Sequence, residues 1–216
     1  MIEKIKAFLT QMTELKGWKI EQKETFGYQL FFIKQELDMN RAIHTLEYEV
    51  TLYKEYRMND IVQQGEAHCI IHPTMTNQEI QDKLNEMEML TSLSLNPPYD
   101  LVKKQIVKTG NREVAFDEKS LKDICFQIAD NIFEADKFDH GYVNSSEIYV
   151  FYEKIHFLNS LEQEFCSFKS YGQLDIVVTW KDQQDAEEIE LHRFYEFDAL
   201  KITITCYFSI IFSNSF

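Results

Sequence analysis

The chain has 216 residues, 44% of them hydrophobic, with 36 acidic against 22 basic side chains and a formal net charge of −14. That is enough apolar chain for one large domain or two small ones. The charge argues against nucleic acid and anionic membranes as partners, because it leaves no broad basic face for either, and it suits a partner or peptide of positive charge.

The N-terminus, MIEKIKAFLTQM, alternates charged and apolar residues and lacks the uncharged core of a signal peptide, so a cytoplasmic location is expected. Cys69, Cys125, Cys166 and Cys206 are far apart, with no C-x-x-C pair. An intracellular chain keeps such thiols as small buried hydrophobes rather than as disulfides or zinc ligands.

Ile2, Ile5, Phe8, Leu9, Met12 and Leu15 recur at helical spacing, and Gly17 stands where a helix C-terminus favours it, so the pattern predicts a first helix ending there. Residues 18–24 and 28–34 read as a hairpin with Gly27 in its turn. From Ala42 to Tyr56 the apolar Leu46, Tyr48, Val50 and Leu52 alternate with Glu47, Glu49 and Thr51, the pattern of a long strand with one wet face. Asn59-Asp60 and Gly65 are expected to break the chain before a short strand, His68 to His72, closed by Pro73. Thr76-Asn77-Gln78-Glu79 is a capping box, flanked by Met75 and Ile80 in the positions of a hydrophobic staple. The stripe Ile80, Leu84, Met87 and Leu90 predicts a helix to about residue 92.

Asn96-Pro97-Pro98 stops that helix, and the stretch to Gly110 has too little periodicity to assign; it is the expected joint between two halves. Leu121, Ile124, Cys125, Ile128, Ala129, Ile132 and Phe133 share one face of the clearest helix, with Asp117 as its cap and Phe116 and Leu121 as a staple. After Gly141 the alternation becomes that of strands, read as three joined by short turns between Glu147 and Trp180 and interrupted at Asn159-Ser160, with a further strand from Glu188 to Phe197. The result is an α+β chain of antiparallel sheets with helices packed on one face, in two subdomains, 1–110 and 111–200. Residues 201–216 form an atypical apolar tail in which Ile202 to Phe212 carries no charge. It is too short to span a bilayer and must pair into a sheet or be an abnormal terminus.

Catalytic signatures are scarce. His68 and His72 flank Cys69, but on a strand they lie about 13 Å apart, beyond the reach of one zinc ion, with Cys69 on the other face. The residues that follow the six histidines are Thr45, Cys69, Pro73, Gly141, Phe157 and Arg193, so no H-E-x-x-H occurs. Asp136, Asp139 and His140 could act as acid and base, yet a solvated helix end with a turn explains them at less cost, since acid–base chemistry also needs a pocket and an oriented partner. Glu187, Glu188 and Glu190 read as an exposed rim, and neither G-x-S-x-G nor a phosphate-binding glycine loop is present. No catalytic, cofactor-binding or metal-binding residue is assigned.

Two stretches resemble the amino-terminal half of the TldD/PmbA (modulator of DNA gyrase) metallopeptidase family. The first runs from Tyr48-Glu49-Val50 through Gly65-Glu66-Ala67, His72-Pro73 and Thr76 to Leu84, ending at Asn96-Pro97-Pro98-Tyr99. The second runs from Ser146-Glu147-Ile148-Tyr149-Val150 through Phe157-Leu158-Asn159-Ser160 to Phe197-Asp198-Ala199-Leu200, with Glu162 where the family's N-S-x-G turn has glycine. Such a residue in a left-handed conformation costs glutamate more than glycine.

The resemblance implies a truncated, non-catalytic portion of a zinc metallopeptidase, inactive in proteolysis alone. It implies that zinc belongs to a carboxy-terminal half not contained here. The implied partners are an extended or unfolded peptide and a related TldD/PmbA-like subunit, as a dimer. The strand from Ala42 to Tyr56 is the candidate edge for peptide binding, with a place inside the sheet as the alternative that its alternation allows equally. The alternative is a free-standing interaction domain with no proteolytic role.

Overall fold

A computed structural model describes residues 1–105, 116–137, 140–181 and 188–198. Its strands join in one antiparallel sheet of seven, in the order β4-β3-β2-β1-β5-β6-β7, where the sequence pattern alone suggests separate sheets. The strands are β1 (Gly17–Ile33), β2 (Glu36–Met58), β3 (Ile61–Ile71), β4 (Leu95–Asn96), β5 (Gly141–Asn159), β6 (Glu164–Lys181) and β7 (Glu188–Asp198). Three α-helices accompany them: α1 (Ile2–Gln11), α2 (Asn77–Leu90) and α3 (Leu121–Ala135).

The strands are longer than the sequence breaks suggest. β1 is continuous through Gly27, whose φ is not positive, so the expected hairpin is absent. A Cβ there would lie 2.8 Å from the Phe151 ring and 3.3 Å from Ile43 Cβ; the glycine makes room for a neighbour and turns nothing. The actual turn lies between β1 and β2, at Lys34 (φ 56°), whose amide donates to Asn144 O at 2.6 Å. Asn59 and Asp60 do form a turn. Both have positive φ, 49° and 65°, as a two-residue hairpin of the twisted type requires, and they fix the register from Met58↔Ile61 to Tyr48↔Ile71. Gly65 lies inside β3 rather than breaking it. A Cβ at that position would meet Thr91 O at 2.2 Å and Tyr56 Cε2 at 2.7 Å. Likewise, Phe165 through Trp180 is one strand, β6, not two.

α1 ends at Gln11, six residues before Gly17. Lys16 already donates its amide to Tyr53 O at 2.8 Å, so the chain has joined the sheet by then. α2 starts as the capping box requires. Thr76 Oγ1 accepts from Glu79 N at 3.3 Å, and Glu79 Oε2 accepts from Thr76 N at 2.7 Å. Asp117 caps the turn that leads into α3, accepting from Lys119 N at 3.0 Å and Ser120 Oγ at 3.1 Å; the helix proper begins after Ser120.

By packing, the chain forms two compact units, neither continuous in sequence. The first comprises Met1–Glu24, Thr45–Gly110 and Lys154–Ser167, and the second Thr25–His44, Asn111–Glu153 and Phe168–Phe216. In the first, α1 and α2 place Ile5, Leu9, Ile80 and Leu84 against Ile20, Val50, Leu52 and Ile71 of the sheet. Lys54 ties this unit together, with Nζ 2.6 Å from Glu14 Oε2 and 2.7 Å from Glu88 Oε1. In the second, α3 places Cys125, Ile128 and Ile132 on Leu30, Ile148, Val150, Leu174 and Ile176. At about 25 cal/mol per Å² of apolar surface buried, each of these side chains contributes on the order of 2 kcal/mol.

Two cysteines are buried, Cys69 and Cys125, and burial pushes their thiols up to about 11 and about 12. Cys166 is exposed, contrary to the expectation that it is buried, because it falls in the first half of β6, where only Ser170 onward is covered. Cys206 and the tail 201–216 lie outside the described residues, as do Asp139 and Glu187. No helix among the described residues is long and apolar enough to cross a membrane.

Candidate functional site

The turn between β5 and β6 is built on Asn159. Its Oδ1 accepts from the amides of Leu161 (2.9 Å) and Gln163 (3.0 Å), its own amide donates to Gln163 O at 3.0 Å, and its Nδ2 donates to Val102 O at 2.7 Å. Glu162 takes φ 61°, the left-handed conformation in which a glycine would be unstrained. The neighbouring Ser160 pairs with Trp18, its amide donating to Trp18 O at 2.9 Å and its Oγ accepting from Trp18 N at 3.1 Å. Gln163 Oε1 accepts from Gln105 N at 2.6 Å.

Beside this turn is an open cavity of about 690 Å³, lined by the end of α1, the segment Thr13–Trp18, Lys104 and the turn itself. Its floor is apolar, with Leu9, Trp18 and Leu158, and its rim carries Lys6, Lys104 and Glu164. Lys16, within that lining, is tied to the chain beyond β4. Its ammonium donates to Gln64 Oε1 and to Tyr99 O at 2.8 Å, and Tyr99 in turn donates its hydroxyl to Glu66 Oε2 at 2.6 Å. Burial, then the Glu66 hydrogen bond, pushes the Tyr99 phenol up to about 12. Burial, then the Glu66 charge, raises Tyr53 to about 12 as well. Neither phenol is therefore a base at neutral pH, and the network is a fastening that fixes the chain after β4.

The histidines are not brought together. His68 is exposed on β3, Cys69 points into the core, and His72 lies exposed beyond the strand. Asp136 Oδ1 accepts from Val143 N at 3.1 Å and so serves the start of β5, while His140 packs edge-on to Trp180 with ring centroids 6.3 Å apart. Glu190 accepts from Asn144 Nδ2 at 3.1 Å on the exposed surface. Among the described residues, no three His, Cys, Asp or Glu side chains come together as metal donors, so these residues do not fit a zinc ion and no zinc step is derived for them.

The expected peptide edge is also displaced. β2, which contains Ala42 to Tyr56, lies between β3 and β1 and is therefore interior. Alternation reports which face of a strand is wet and says nothing of its neighbours along the sheet. Among the described residues the margins are β7 on one side and, on the other, the part of β3 that the two-residue β4 leaves uncovered. β7 pairs with β6 from Tyr171↔Asp198 to Lys181↔Glu188 and exposes Phe194 and Ile189.

A seven-stranded antiparallel sheet with these helices defines an α+β class shared with solved structures. TldE from Thermococcus kodakarensis superposes with a TM-score of 0.63 at 12% identity, over 96% of this chain and 46% of that one. A putative modulator of a DNA gyrase from Thermotoga maritima gives 0.55 at 13% identity, over 92% and 44%, and a putative modulator of DNA gyrase from Bacteroides thetaiotaomicron gives 0.56 at 13%, over 90% and 44%. At such identities the likeness is one of fold, and the chain spans less than half the length of each of these proteins. The resemblance legible in the motifs is met at that level. No protein-family profile and no curated protein sequence matches the chain.

Proposed function

We propose that the chain is the non-catalytic portion of a TldD/PmbA-like peptidase system, pairing with a TldD-like subunit and holding an extended peptide along β7. The observation that carries this reading is the superposition of more than nine-tenths of the chain on TldE and on one of the gyrase modulators. β7 supports the peptide part: eleven residues long, it is paired on one side by β6 and bounds the sheet among the described residues, the geometry to which an extended backbone adds. Hydrolysis of a peptide bond would be supplied by a zinc site in other polypeptide.

The test is to mix the chain with a TldD-like subunit, measure the mass by sedimentation, and follow hydrolysis of an unfolded peptide. A complex of summed mass with altered hydrolysis supports the reading. Two separately sedimenting species with unaltered hydrolysis would favour a free-standing interaction domain instead.

A further inference from the structure

In the second compact unit, α3 covers one face of the sheet, through Ile148, Val150, Leu174 and Ile176. Successive side chains of a strand alternate between faces, so the residues between these point the other way. On β5 they are Glu147, Tyr149, Phe151 and Glu153, and on β6 Tyr171, Gln173 and Asp175. The rings form a ladder. Tyr149 stacks on Phe151 with centroids 6.0 Å apart, Phe151 on Tyr171 at 5.0 Å, and the Lys169 ammonium sits 4.2 Å above the Tyr171 ring.

Carboxylates surround the ladder. Tyr171 donates its hydroxyl to Glu153 at 3.0 Å, and its phenol is pushed up by burial first and then by the Glu153 and Glu196 charges. Tyr149 rises to about 12 by burial and then by Glu147, with Asp175 adding to the effect and Arg41 opposing it. Arg41 is itself engaged, with Nε 3.1 Å from Gln29 Oε1, and the Gln29 amide donates to Glu147. Phe194, beside Asp175 in register, is 60% exposed at the margin of the same face.

We infer that this aromatic and acidic sheet face docks an extended polypeptide segment rich in arginine or lysine. Glu147, Glu153, Asp175 and Glu196 lie on this face of a chain whose net charge is −14, so a second copy, a nucleic acid or an anionic bilayer is repelled. Lys169 over Tyr171 shows that the ladder accepts a cation on a ring face, where the ring quadrupole attracts guanidinium and ammonium groups. The repeat of side chains along one face of an extended segment, about 6.6 Å, is close to the ring spacing along β5. This surface is distinct from the hydrogen-bonding margin of β7 and does not require a TldD-like partner.

The test uses the intact 216-residue protein and fluorescein-labelled peptides of alternating arginine and threonine, with a glutamate–threonine counterpart. The arginine peptide is expected to bind at low salt and to weaken as salt rises. Asp175→Asn with Glu196→Gln is expected to weaken it at least threefold, and Phe151→Leu by a similar factor. Asp82→Asn with Glu86→Gln, the same change in net charge on the exposed side of α2, is expected to leave it unchanged. Equal binding of the two peptides, as backbone pairing at β7 would give, overturns the inference. So does an equal loss in the α2 variant, or competition by spermine at concentrations of matched charge.

Discussion

Asn159 and Gln163 hold each other across the β5–β6 turn: the Asn159 amide donates to Gln163 O at 3.0 Å, and Asn159 Oδ1 accepts the Gln163 amide at 3.0 Å. One side chain thereby satisfies two backbone donors of the turn and, through Nδ2, a carbonyl of the segment at Val102. Asn159→Ala leaves these groups without partners at a site only 9% exposed and should cost about 2 to 3 kcal/mol in urea unfolding.

Glu162 carries the opposite signature, a side chain where the backbone favours none. Relief of a left-handed residue is worth about 1 to 2 kcal/mol, and the extra freedom of an unfolded glycine takes back about half of that. Glu162→Gly is therefore expected to raise stability by roughly 0.5 kcal/mol, read from the same urea midpoints. A loss of stability would show that the Lys104–Glu162 pair, at 3.4 Å, outweighs the strain.

Gly65 admits no side chain, because the atom nearest to an added Cβ is a backbone carbonyl, which cannot rotate away. Gly65→Ala should destabilise by about 3 kcal/mol and broaden amide signals from Thr91 to Leu95, where β4 pairs with β3.

Asp136 gives a pH dependence of definite sign. Burial raises its carboxyl above the usual 3.8, with the Val143 amide acting the other way. A group whose folded pKa lies above its unfolded value stabilises the protein below the unfolded pKa, and that contribution is lost as the pH rises through the folded value. Asp136→Asn keeps an oxygen for Val143 and removes the charge, so its Tm relative to wild type should be higher at pH 7 than at pH 4. A difference independent of pH would contradict the assignment.

The described thiols should separate by accessibility. Cys166 is expected to react with a maleimide in the native protein, whereas Cys69 and Cys125 should label only on unfolding, as located by peptide mass spectrometry.

What could be read in the sequence was local. The Thr76–Glu79 capping box, the α3 stripe and the Asn59-Asp60 turn each lie within a few residues and have one physical reading. Gly27 and Gly65 have two, a turn or a close approach, and the atoms that decide between them, from Phe151 and Thr91, are far away in sequence. The alternation of β2 picked out the buried Tyr48, Val50 and Leu52, but Thr51, on the face expected to be wet, is buried as well, and the strand's interior place depends on β1 and β3 pairing on either side. The cavity beside Asn159 joins Lys6, Trp18, Lys104 and Ser160, and no local pattern links them. The aromatic ladder leaves a local trace, E-x-Y-x-F-x-E from Glu147 to Glu153, which the alternation alone does not single out, because its alignment with Tyr171 depends on the β5–β6 pairing.

Amide hydrogen exchange on the chain, alone and mixed with a TldD-like subunit and an unfolded peptide, tests the central claim most directly. The proposed role predicts that amides of β7, Glu188–Asp198, become strongly protected in the mixture while those of interior β2 do not change. Exchange in β7 that is identical with and without the subunit and peptide would contradict it.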